Sequence, residues 1–280
     1  WGYRTVSYDG RTYQEVMNPE QASDHSPDLL RGVGYGDGVF IAVGGDRNAM
    51  VMRSEDGLQW DEDLMQGPTQ WLGDVAYGNG RWVAVGGTGL VVMSTDHGRT
   101  WVQHTERLPS AGRRIAFLDG RFIAIGDNAM IASSSDGVTW TDYSQTGARG
   151  MGALAHGAGL FVAGGQTWNG GGFDVNCFVS NDAVAWRACP FSLERFESAH
   201  RLDGSLVLST RRQGQDQVEI YTQGSWQQRV VNLPRYVLGE GSTWGGVDGD
   251  RRYQGASWDA LTEVGTGTRG VRDAAWGYSR

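Results

Sequence analysis

The chain has 280 residues, 39% hydrophobic and 20% charged, with 44 glycines, 6 prolines and a formal net charge of −8. All 24 basic residues are arginine, a bias that a GC-rich genome produces, and the acidic balance argues against general affinity for nucleic acid or anionic membrane. No apolar run approaches the roughly 20 residues that cross a bilayer, and 12 tryptophans exclude a disordered tract.

The opening WGYRTVSYDG has neither a basic start nor an apolar stretch, so no signal peptide is read in it. YRTVSYDG and RTYQEV read instead as the third and fourth strands of a repeating unit. From Leu30 the unit recurs in full as LRGVGYGDGVFIAVGG, then as LGDVAYGNGRWVAVGG from Leu72 and GRRIAFLDGRFIAIGD from Gly112. GALAHGAGLFVAGG, from Gly152, follows with one change of spacing. A short apolar run, a serine–aspartate–glycine turn and an aromatic come after each. Those aromatics are Tyr13, Trp60, Trp101, Trp140, Trp186, Trp226 and Trp258, and they return about every 40 residues, the length of a four-stranded propeller blade.

The second unit shows the strands most clearly. Asp74–Gly78 is short and rich in small residues, as an inner strand crowded around an axis must be. Trp82–Val85 is continuously apolar, which suits burial between neighbouring blades. Leu90–Ser94 and Thr100–His104 complete the sheet, and Gly78-Asn79-Gly80 turns the first hairpin. At the other end of the chain VRDAAWG aligns with LGDVAYG. One blade is therefore expected to combine both termini and close a seven-bladed ring without an exposed edge, a single all-β domain over 1–280.

Ser94 to Trp101, STDHGRTW, resembles the Asp-box of bacterial neuraminidase-type repeats, S-x-D-x-G-x-T-W. Shorter forms begin at Ser7, Ser54 and Ser134, the one at Ser180 has lost its glycine, and around Trp226 and Trp258 only the aromatic survives. An aspartate accepting turn N–H groups, a glycine at positive φ and a tryptophan packed between strands make a hairpin staple. The resemblance implies boxes on the blade periphery, away from any ligand face. In kind, the chain resembles the Asp-box propellers that act as assembly factors, including that of photosystem II, which carries an arginine patch.

If Ser180 faces Trp186 across its hairpin, Cys177 and Cys189, each three residues further from the turn, also face each other. A disulfide at a non-hydrogen-bonded pair is the expectation, and it favours an exported protein, whether secreted, periplasmic or at the cell surface. The alternative is two buried thiols. The cysteines have no zinc spacing, the acids of WDEDL alternate between faces, and neither a metal nor a cofactor is implied.

Propeller ligands bind at the channel mouth, on the loops that lead into the innermost strands. Six of these seven loops carry arginine: Arg31, Arg113 with Arg114, Arg149, Arg195, Arg235, and Arg269 with Arg272; the seventh carries Trp71. Converging guanidinium groups suit carboxylate, sulfate or phosphate, with Trp71 and Tyr236 as stacking faces. The plainer alternative is pairing with Asp24, Asp28, Glu194, Glu197 and Asp273 on the same loops. GGQTWNGGGFDVNCF, Gly164 to Phe178, lengthens one inter-strand loop and makes Trp168 either a lip over a ligand or part of a loose glycine loop.

Two functions fit. One is a binding or scaffold propeller that recognises an acidic glycan or an acidic protein segment. The other is a glycan-active enzyme: sialidases share the box, and polysaccharide lyases on propellers need a base beside an arginine, for which His156, His200 and Tyr236 are the candidates. Short loops favour binding, because a water-excluding pocket needs long ones.

Overall fold

The computed structural model describes residues 4–6, 14–16, 30–61, 65, 70–146, 150–230, 233–240, 243–248 and 251–266. The protein is an all-β propeller of antiparallel meandering blades. Blade 1 comprises Leu30–Gly36, Val39–Gly44 and Met50–Ser54, with a backbone bridge from Arg53 to Asp61 in place of a fourth strand. Blade 2 is Leu72–Gly78, Arg81–Gly86, Val91–Ser94 and Val102–Gln103, and blade 3 is Gly112–Leu118, Arg121–Gly126, Ile131–Ser134 and Thr141–Asp142. Blade 4 comprises Ala153–Gly157, Leu160–Trp168, Phe173–Ser180 and Arg187–Ala188. Blades 5 and 6 begin at the inner strands Arg195–Leu202 and Tyr236–Glu240 and end at Ser225–Arg229 and Thr262–Thr266.

Six blades are therefore present among the described residues, not the expected seven. Counting one aromatic per blade made Tyr13 a blade of its own, yet the N-terminal strands Arg4–Val6 and Gln14–Val16 form only a two-stranded ribbon. VRDAAWG, expected to complete that sheet, lies outside the described residues.

The middle of each unit explains the packing. Arg81–Gly86 is buried on both faces because alternate side chains enter different inter-blade cores: Trp82 and Ala84 meet Ile41 and Val43 of blade 1, whereas Val83 and Val85 meet Phe122 and Ala124 of blade 3. Blades 3 and 4, 4 and 5, and 5 and 6 share three further clusters of the same kind. The marker tryptophans of blades 2 to 6 pack towards the preceding blade, Trp101 into the core shared by blades 1 and 2 and Trp140 into that shared by blades 2 and 3. No blade could bury these faces alone.

The first hairpins of blades 1 to 5 are two-residue turns with both residues at positive φ, such as Asn79 (φ 48) and Gly80 (φ 73), a conformation whose twist matches the strands. The meander thus gives the blades two ends. Inner strands start at one, which is the mouth; the serine–aspartate turns sit at the other. At that far end Ser94 Oγ donates to Asp96 at 2.8 Å, and Asp96 Oδ1 accepts from the N–H groups of Arg99 and Thr100 at 3.1 and 2.9 Å. The indole N–H of Trp101 closes on Gly98 O at 3.0 Å. Turns at Asp56, Asp136 and Asp182 repeat this pattern of an aspartate oxygen accepting two backbone N–H groups.

Cys177 and Cys189 form a disulfide with Cα atoms 5.3 Å apart. The pair differs from expectation in one respect. Cys189 N–H donates to Cys177 O at 2.8 Å, so it occupies a hydrogen-bonded position of the ladder.

Candidate functional site

Four inner strands begin with the same irregularity. Their pairing slips between Leu30 and Gly32, Leu72 and Asp74, Gly112 and Arg114, and Phe196 and Ser198. A bulge leaves one residue out of the ladder and re-aims its side chain. Here the residues left out are Arg31, Gly73, Arg113 and Glu197, so a single backbone device sets four positions on the rim of the mouth.

Around Trp71 the device produces a cation–π cluster. The guanidinium carbons of Arg31 and Arg113, from the blades on either side, each lie 5.0 Å from the Trp71 ring centroid. Gly73 makes room for it: a Cβ there would stand 2.6 Å from Gly112 O and 3.1 Å from the indole. The two arginines are anchored at equivalent places. Arg31 Nε donates to Gly45 O at 3.3 Å, and Arg113 grips the Asp127 carboxylate with two bonds of 2.9 and 3.0 Å. Gly45 and Asp127 each directly follow the second strand of their blade.

Beside this cluster, inner strands of blades 2 to 6 surround an open cavity of about 220 Å³, with Asp74, Arg114, Glu197, Ser198, His200 and Arg235 among its polar lining. Asp74 is buried and accepts from the N–H groups of Val75 and Ile115 at 2.9 and 3.0 Å, which ties blade 2 to blade 3. Arg114 Nε reaches Gly152 O of blade 4 at 3.3 Å. His200 shares a 2.9 Å hydrogen bond with Ser198 Oγ; burial pushes its imidazole down to about 4, against a weaker opposing hydrogen bond to the Arg235 backbone. It is therefore neutral at physiological pH.

Arg195 does not line the cavity itself and meets it through Glu197. Its guanidinium lies 5.0 Å from the Phe173 ring centroid and 3.5 Å from Glu197. The expected ring of arginines is thus divided: Arg31 with Arg113 on Trp71, Arg114 with Arg235 at the cavity, and Arg195 on the long hairpin of blade 4. Arg149, Arg269 and Arg272 lie outside the described residues. Of the acids expected to pair with these arginines, Glu197 meets Arg195, Glu194 meets Arg211 instead, and Asp24, Asp28 and Asp273 lie outside the described residues; Arg113 pairs with Asp127, which was not among them.

The catalytic candidates are not brought together. His156 lies at the far end of its strand, stacked on Phe161 with centroids 4.0 Å apart, and burial lowers its pKa. His200 lines the cavity, while Tyr236 opens the inner strand of blade 6, its side chain outside the described residues. No cluster of three or more metal-ligating side chains occurs among the described residues, and no described helix is long and apolar enough to cross a membrane.

Asp127 and Phe173 escaped the sequence reading. Asp127 did leave a signal, as a charge where the aligned repeats carry Gly45 and Gly87. The bulges left none.

No family model and no curated protein matches the chain. Solved structures do match in fold. YCF48 from Cyanidioschyzon merolae aligns with a TM-score of 0.56 at 12% identity, over 85% of each chain. A structure titled YCF48 bound to D1 peptide aligns with a TM-score of 0.57 at 17% identity, over 86% of this chain and 85% of that one.

Proposed function

We propose that the protein is a binding propeller that takes an acidic protein segment across the mouth of its channel. The observation that carries this is the Arg31–Trp71–Arg113 cluster beside a cavity lined by Arg114 and Arg235. Guanidinium groups fixed by stacking and hydrogen bonds offer carboxylates oriented donors at little entropic cost, and the half-buried indole of Trp71 adds an apolar surface between them. The likeness in fold to a propeller with a bound peptide supports a peptide over an acidic glycan.

The disulfide supports export to an oxidising compartment, secreted, periplasmic or at the cell surface. Hydrogen bonding at the aspartate turns supports their assignment as Asp-boxes. A glycan-active enzyme has less support: the His200 imidazole is a weak base already bonded to Ser198, and His156 is stacked on Phe161 and does not line the cavity.

The test is thermal stability and direct binding against acidic peptides, acidic glycans and neutral controls, with wild-type and Arg113→Ala/Arg114→Ala proteins. Salt-sensitive binding of acidic peptides, weakened about tenfold or more in the variant, is the expected result. Preference for an acidic glycan would replace the peptide reading, and turnover of that glycan would restore the enzyme.

A further inference from the structure

We propose that the long hairpin of blade 4 is a preformed aromatic wall of the binding mouth, against which the apolar side chains of an acidic protein segment pack. The inference rests on the binding reading above and adds a second, separable set of contacts to it. Leu160–Trp168 has 9 residues where the corresponding strands of blades 2 and 3, Arg81–Gly86 and Arg121–Gly126, have 6 and that of blade 5, Ser205–Arg212, has 8, so the hairpin carries its tip beyond the mouth end of blades 2 and 3. At that tip Trp168 is 59% exposed and Phe173 36%, both among the exposed large hydrophobic side chains of the described residues. They are cross-strand partners in edge-to-face contact, with centroids 5.2 Å apart and ring planes at 69°.

The glycine-rich tip is held rather than loose. Asn169 Oδ1 accepts from the N–H groups of Gly171 and Gly172 at 3.0 and 2.9 Å, and its amide donates to Asp174 at 2.8 Å. Farther down, Gln166 bridges to blade 5: it accepts from Phe196 N–H at 3.1 Å and donates to Glu197 at 3.3 Å. The disulfide clamps the hairpin's other strand, Phe173–Ser180, nearer its base. Aromatic side chains on a preorganised element lose little entropy on binding, which is how interface anchors act.

Position and charge select the occupant. Trp168 touches Phe173, Arg195 covers Phe173, Glu197 accompanies Arg195, and Glu197 lines the cavity, so the aromatic pair continues into the mouth. A segment crossing the mouth meets the arginines with its acids and this wall with its apolar side chains. A sugar wants a flat ring face, whereas the crossed rings form a ridge. An anionic bilayer would meet the carboxylates of Asp174 and Glu197 and a chain of net charge −8.

The test pans a phage-displayed library of random peptides on the full, oxidised chain and measures enriched peptides against Trp168→Ala, Trp168→Phe and Arg113→Ala/Arg114→Ala. Enriched sequences should combine acidic and apolar residues. Their Kd should rise about tenfold or more in Trp168→Ala and recover largely in Trp168→Phe, with melting temperature unchanged because the side chain is exposed. Affinity lost only in the arginine variant would overturn the aromatic wall and leave the mouth standing, and affinity lost only in Trp168→Ala would do the reverse. No enrichment, or Trp168-dependent binding to a glycan array or to phosphatidylglycerol vesicles in its place, would overturn the assignment of a protein segment to this wall.

Discussion

Arg113 holds the carboxylate of Asp127 in a two-pronged grip, 2.9 Å through Nε and 3.0 Å through the terminal nitrogen, while the same guanidinium lies 5.0 Å from the Trp71 ring centroid. Geometry of this kind is what an arginine offers a ligand carboxylate. Asp127 therefore stands where the carboxylate of the proposed acidic segment would, and on that reading it competes with one.

On the proposed reading the pair contributes little to the fold and tunes binding instead. Both side chains are partly exposed, 45% and 33%, so solvent screens them, and Asp127→Ala should cost under about 1 kcal/mol in denaturant unfolding. Binding of acidic peptides should strengthen in the same variant, and the gain should shrink as salt is raised. Weaker binding would mean that Asp127 orients Arg113 rather than competes for it.

At the far end of the blades, acid should act through the turns. Backbone N–H groups of Thr139 and Val138, each 2.8 Å from Asp136 Oδ1, hold that carboxyl down to about 2 from 3.8. A depressed folded-state pKa contributes stability that is present above pH 3.8 and is lost as pH falls through about 2. Asp136→Ala should lower stability by about 1–3 kcal/mol at neutral pH, since several hydrogen bonds lose their acceptor, and the gap to wild type should narrow as pH falls towards 2. A gap that stays constant with pH would show that the carboxylate charge is not what holds the turn.

These turns were legible in the sequence because every partner lies within seven residues, and a local pattern states its own geometry. The inter-blade packing of Trp82 to Val85 was legible for a similar reason: a continuous apolar strand can only be buried on both faces. The mouth was not. Arg113 and Arg114 are adjacent letters, yet one stacks on Trp71 and the other lines the cavity, and the bulge at Arg113 that places them depends on how two strands pair. Blade number failed on Tyr13, since an aromatic after a turn marks a hairpin whether or not two more strands follow.

Glycine in the turn is expected to matter unequally between blades. Gly137 has φ +72, and a Cβ there would sit 2.5 Å from Val83 Cγ2 in the core of blades 2 and 3. Gly137→Ala should destabilise by about 1–3 kcal/mol, combining left-handed strain with overpacking. Blade 4 already holds Ala183 at this point, at φ 57 and fully buried. Ala183→Gly relieves strain but removes a packed methyl and loosens the unfolded chain, so it should fall within about 1 kcal/mol of wild type. Thermal melts of the two variants side by side would check the asymmetry, and equal losses would refute it.

The disulfide gives the last prediction, and it ties stability to the binding surface. Cys177 and Cys189 are 12 residues apart and pack with Phe196, Leu206 and Leu208 in the core of blades 4 and 5. Closing so short a loop stabilises by about 3 kcal/mol, chiefly by restricting the unfolded chain. Cys177→Ser/Cys189→Ser should therefore lower the melting temperature by several degrees, and reductant should do the same to wild type and nothing further to the variant. Phe173–Ser180 runs from the hairpin tip to this bridge, so its loss should also loosen the wall that carries Trp168. Hydrogen exchange at Gly171 and Gly172 reads that directly: faster exchange in the double serine variant, with blades 1 to 3 unchanged, is the expected pattern. Exchange that rises uniformly over all blades would mean that the bridge guards global unfolding alone, and that the hairpin keeps its shape without it.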